Sequence, residues 1–166
     1  MPDVPLYVAA ITAAAGVAGA AIPAIAVIIR DVRQAERDRR ERRAEAKRQA
    51  CLDLLRAAGE LRTRVANAAE YHGPEMGSLL AGIRECEAAV RLHAVSVALL
   101  APEKLTEPAA QLADAAGRLV AVTERNTNID RGVMVPRPEF TGLDEKLTAF
   151  RRTVVANAAE QATAAG

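Results

Sequence analysis

Apolar positions follow two different patterns along the chain. From Leu6 to Ile29 there are 24 consecutive residues without a charge, LYVAAITAAAGVAGAAIPAIAVII. As a helix this run reaches about 36 Å, somewhat more than a hydrocarbon core of roughly 30 Å. The pattern predicts one transmembrane helix, with residues 1–30 as an anchor. Pro23 removes one helix hydrogen bond, which membrane helices tolerate. Past residue 48 the apolar residues instead recur at alternating intervals of three and four, the period of amphipathic helices.

Four helical stretches are predicted after the anchor. The first continues from Arg30 to about Glu70 and stops at Tyr71-His72-Gly73-Pro74. The second runs from about Glu75 to Ala101, ended by Pro102. The third is expected from about Glu107 to Asn126, with Thr106 as N-cap and Pro108 in its first turn. The fourth is expected from about Pro138 to Ala162, after a loop from Thr127 to Arg137. No segment alternates as a strand does. The predicted inner stripes begin with Cys51, Leu54, Ala58, Leu61, Val65 and Ala68 on the first helix. The second carries Met76, Leu79, Ile83, Cys86, Val90, His93, Val97 and Leu100. Leu105, Ala109, Leu112, Ala116 and Leu119 mark the third, and Leu143, Leu147, Phe150, Val154 and Ala158 the fourth. This is the spacing of helices packed at about 20°. The expected fold class is all-α: an N-terminal transmembrane helix, a charged helical stalk over 31–47, and an antiparallel bundle of about four helices over 48–166.

Charge sets the orientation of the predicted anchor. Residues 30–48 hold nine basic side chains against five acidic ones, and no Lys or Arg precedes the apolar run. The positive-inside rule then puts the N-terminus outside and the C-terminal domain in the cytoplasm, beneath the plasma membrane. The Met-Pro-Asp-Val-Pro start, without a basic residue, disfavours a cleaved signal peptide. Arg30, Arg33 and Arg37 stand closest to the predicted bilayer, where anionic lipid favours each by about 1 kcal/mol. Glu36 with Arg40 and Asp38 with Arg42 are spaced for i,i+4 pairs along the stalk. Gly16, Ala20 and Ala24 form a small-xxx-small row, a candidate helix–helix contact within the membrane.

Composition adds exclusions. Aromatic residues make up 2% of the chain and the net charge is +1, so no global field draws nucleic acid. There is no C-x-x-C, glycine-rich phosphate loop, G-x-S-x-G or H-E-x-x-H, and the carboxylates are scattered. No cofactor, metal or catalytic residue is therefore assigned. A hairpin about residue 72 would set Cys51 level with His93, a reactive pair or half a metal site in principle, although ordinary core packing accounts for both. The same geometry separates Cys51 from Cys86 by roughly 12 Å along the axis, too far for a disulfide. Val65-Ala66-Asn67-Ala68-Ala69-Glu70 repeats as Val155-Ala156-Asn157-Ala158-Ala159-Glu160, either a duplication or two similar helix ends.

With Arg48-Gln49-Ala50-Cys51-Leu52-Asp53-Leu54-Leu55 and Leu99-Leu100-Ala101-Pro102-Glu103 in place, the chain resembles a loose group of small actinobacterial membrane proteins without assigned function. That group often has aromatic residues where this chain has Cys51 and Leu54, and the resemblance implies no activity or site residue. The expected function is a non-enzymatic, membrane-tethered interaction or scaffold module that binds a protein partner or self-associates. The alternatives are a sensor or regulator with a small ligand between its helices, a Cys51/His93 enzyme or metal protein, and a holin-like pore former. The expected partners are the lipid bilayer, anionic lipid at the stalk, and a protein partner or a second copy, but not nucleic acid.

Overall fold

The chain is all-α in this computed structural model. It describes the backbone over 4–69, 75–128, 132–133 and 137–164, and side chains over 30–69, 75–127 and 137–163. The elements in order are α1 (Val4–Ala69), α2 (Met76–Leu100), α3 (Glu103–Asn126), the two-residue strands β1 (Thr127–Asn128) and β2 (Gly132–Val133), and α4 (Arg137–Ala164). The chain divides into two compact units, Met1–Ala44 and Glu45–Gly166.

In the first unit, side chains are described from Arg30 onward, and nearly all of them are exposed. The expected Glu36–Arg40 and Asp38–Arg42 pairs are not closed. Fully hydrated charges gain little from pairing and lose side-chain freedom when they do. Among the described residues no helix is long and apolar enough to cross a membrane. The apolar run 6–29, with Gly16, Ala20 and Ala24, lies outside the residues whose side chains are described.

The second unit is a four-helix bundle. Among the described side chains of α1, Ala50 and Cys51 are the first that are buried, and Leu54, Ala58, Leu61, Val65 and Ala68 follow at 0% exposure. The expected six-residue stripe of α1 is buried throughout, as are all five expected positions of α3. Helix α3 packs against both α2 and α4. Helix α1 meets α2 where Arg64 lies over Gly82, and meets α4 where Arg62 pairs with Asp144. Arg84 pairs with Glu124, and Arg91 lies over Gly117, so α2 and α3 run antiparallel. Lys146 donates to Gln111 at 3.0 Å and Lys104 pairs with Glu160 at 2.8 Å, which sets α3 and α4 antiparallel as well.

The structure corrects several expectations. Helix α3 begins at Glu103, not near Glu107, so Thr106 lies inside it and is not its N-cap. Pro102, in an extended conformation, ends α2 and immediately starts α3 by accepting the Leu105 N–H at 2.9 Å. Glu103 then places a negative charge at the positive end of the helix dipole. Pro108 sits in the second turn and leaves only the Lys104 carbonyl without its helix donor. The 127–137 connection contains the antiparallel pair Thr127↔Val133 and Asn128↔Gly132, a ladder too short for any alternation to show. On the inner stripes Leu100 and Ala158 are exposed, and Leu79, His93 and Val154 only half-buried. Leu79, Leu100 and Ala158 lie towards helix ends, where fewer neighbours surround them, whereas His93 and Val154 lie well inside α2 and α4. The repeated hexapeptide is not structurally equivalent in its two settings: Val65 is fully buried and Val155 is 69% exposed. The Tyr71–Pro74 turn, with His72, lies outside the described residues.

Candidate functional site

Helix α2 is apolar on two faces. Its inner face supplies Ile83, Cys86, Val90, Ala94 and Val97 to the core. Its outer face carries Ala81, Glu85, Ala88, Leu92, Val95 and Leu99, all exposed. These positions step by four, three, four, three and four, the spacing of a coiled-coil seam. Leu92 is 65%, Val95 57% and Leu99 79% exposed, a concentration of large apolar groups with no counterpart on the other described helices. Helix α3 has the opposite character, with one apolar face and one polar face.

Beside the outer seam lies an open groove of about 350 Å³ between α2 and α3. Ala94, Ala98, Ala110 and Ala113 form its floor and walls, with Arg91 and Asp114 among its lining residues. Small alanines on both helices create this space: the backbones are held apart by the core beneath, and methyl groups do not fill the outer gap. Arg91 is held by an ion pair with Glu87 and stretches across Gly117, where a Cβ would lie 2.8 Å from its Nη2. Asp114 is exposed and has no ion pair among the described residues. Leucine knobs, an alanine-lined groove and charged groups at its edge make a surface suited to receiving an apolar helix.

The chemistry raised by Cys51 and His93 looks different in the fold. Cys51 is buried, and desolvation pushes its thiol pKa up. Cys86 is also raised, mainly by burial, with Arg64 opposing the shift and Glu60 and Glu85 adding to it. A raised pKa lowers the thiolate fraction and so the nucleophilicity near neutral pH. Both cysteines are free. His93 is half-buried on α2. Among the described residues no group of three or more His, Cys, Asp or Glu side chains is placed to hold a metal ion. Arg30, Arg33 and Arg37 are exposed on α1, within the first unit.

The outer seam was not anticipated from sequence. The available signal was that α2 carries a second apolar row, Ala81, Ala88, Leu92, Val95 and Leu99, beside its core stripe. No family model, curated protein or solved structure matches the chain.

Proposed function

We propose that the protein is a membrane-tethered helical module that docks a helical protein partner on the outer face of α2. The carrying observation is the exposed seam of Leu92, Val95 and Leu99 beside an alanine-lined groove. A contiguous exposed apolar surface of this kind is a feature of interaction sites. The tether is the uncharged run Leu6–Ile29, with the N-terminus outside and the bundle in the cytoplasm. Residues 31–47 form the stalk, and Arg30, Arg33 and Arg37 meet anionic lipid headgroups. The small-residue row Gly16, Ala20 and Ala24 supplies a helix contact within the bilayer. The reading involves no catalysis, and the resemblance to the actinobacterial membrane group fits the same layout.

A photo-crosslinking side chain at position 92 or 99 of the full chain, in native membranes, tests the docking face. A discrete protein adduct is the expected result, and its absence from both positions overturns the proposal. Carbonate washing of the same membranes tests the tether: release into the supernatant removes it.

One observation favours a second reading. The groove volume falls within the range of small-molecule sites, and its lining is largely apolar. A small apolar ligand seated there would make the bundle a sensor. A thermal-shift screen of the full chain tests this, with no stabilisation by any apolar metabolite as the opposing outcome.

A further inference from the structure

The occupant of the α2 face follows from the charges that flank it. On the α3 side of the seam, α2 carries Arg84 and Arg91, seven residues apart. On the exposed side of α3, Glu107 and Asp114 are also seven residues apart. The two helices run antiparallel, with Arg84 paired to Glu124 and Arg91 over Gly117. A two-fold axis across α2, between Leu92 and Val95, therefore brings the basic row of one copy against the acidic row of another. We infer that the α2 face is a homodimer interface, formed by antiparallel pairing of α2 with the α2 of a second copy.

The apolar register fits the same axis. Leu92 meets the partner's Val95, and Ala88 meets the partner's Leu99, so a large side chain always opposes a smaller one. Arg91 comes level with the partner's Asp114, and Arg84 with the partner's Glu107. Each arginine has five N–H donors and keeps some free beyond its intrachain pair. Glu107 accepts a bond from Gln111 and has no ion pair among the described residues. A parallel, in-register pair would instead stack Glu85 on the partner's Glu85 and leave both rows unmatched. With α2 ending at Leu100, this axis overlaps the two α2 helices over residues 87–100, about 20 Å of helix contact by helical rise. Every contact occurs twice, as an isologous interface requires.

This inference rests on the docking reading and names its partner. The test uses the full chain in mild detergent. Light scattering is expected to give twice the chain mass, and Leu92→Glu to give the single mass with unchanged helical circular dichroism. Arg91→Glu is expected to weaken association by about tenfold or more, and adding Asp114→Arg to restore it. On mild oxidation, a mixture of Leu92→Cys and Val95→Cys chains should form the mixed disulfide in excess over either self-linked species. A single mass for the unmodified chain overturns the inference, as does a double mass insensitive to Leu92→Glu. Self-linked species in excess overturn the antiparallel register. An adduct at position 92 or 99 with a different protein supports the docking reading and overturns the second copy as its occupant.

Discussion

Arg62 and Asp144, 82 residues apart, meet through two hydrogen bonds: Nε to Oδ1 at 2.6 Å and Nη2 to Oδ2 at 3.1 Å. The guanidinium also lies 5.0 Å from the centre of the Phe140 ring. The hydrogen bond to Asp144, and then its negative charge, raise the Arg62 pKa further above its ordinary value. One side chain on α1 thus fixes two residues one turn apart on α4. Both partners are more than a third exposed, at 44% and 38%, so solvent screens the pair. A double-mutant cycle with Arg62→Ala and Asp144→Ala in urea unfolding is expected to give a coupling of about 0.5–1 kcal/mol. Arg62→Lys should lose most of it, because an ammonium cannot reproduce the two-pronged contact or the stacking. A coupling indistinguishable from zero would show that the pair contributes only geometry.

The core offers a sharper contrast. Leu61 is completely buried on α1, whereas Leu52, nine residues earlier on the same helix, is 53% exposed. Leu61→Ala should cost about 2–5 kcal/mol by lost burial plus the cavity it leaves. Leu52→Ala should change stability by less than about 0.5 kcal/mol. Equal effects in urea unfolding of the full chain would mean that Leu52 is covered in solution, which would point to an occupant on that face too.

The number of helices and the inner seams of α1 and α3 were legible in the sequence. Their stripes are uninterrupted and flanked by charge, leaving one face eligible for burial. Helix α2 was less legible because Ala81, Ala88, Leu92, Val95 and Leu99 repeat with the same period as its core residues. Periodicity then identifies two stripes without stating which one the bundle covers. The start of α3 was misplaced because Pro108 resembles a first-turn proline, while Pro102 can both end one helix and begin the next. The Arg62–Asp144 pair was invisible for a different reason: it depends on the tertiary register of α1 and α4, which no local pattern encodes.

Glycines inside helices give a prediction in the opposite direction. An added Cβ at Gly59 or Gly142 meets nothing within 4 Å. Gly59→Ala and Gly142→Ala should each raise stability by roughly 0.5–1 kcal/mol, since alanine restricts the unfolded chain and favours the helix. At Gly82 the added atom would lie 2.5 Å from Nη1 of Arg64, the far end of a flexible side chain. Gly82→Ala should therefore gain less than Gly59→Ala in the same urea titration. An equal gain would show that Arg64 gives way without cost.

The two buried thiols make stability depend on pH on the alkaline side. Burial raises the folded-state pKa of both Cys51 and Cys86 above the ordinary value of 9.0. Below about that value the thiols are protonated in folded and unfolded chains alike, and their contribution is intact. Above it the unfolded chain releases thiol protons while the folded chain retains them. The unfolded state then binds fewer protons, so stability falls as pH rises toward the folded-state values. Lys and Tyr side chains titrate in the same range, so the informative quantity is a difference. From pH 7 to pH 10 the urea midpoint of the parent chain should fall more than that of the Cys51→Ala, Cys86→Ala chain. Both thiols should also react with iodoacetamide at pH 7.5 more slowly than free cysteine. Parallel pH profiles for the two chains, or fast labelling of Cys51, would mean that the thiols are ionised or accessible in the native bundle. Fast labelling of Cys51 would reopen the case for its chemistry with His93.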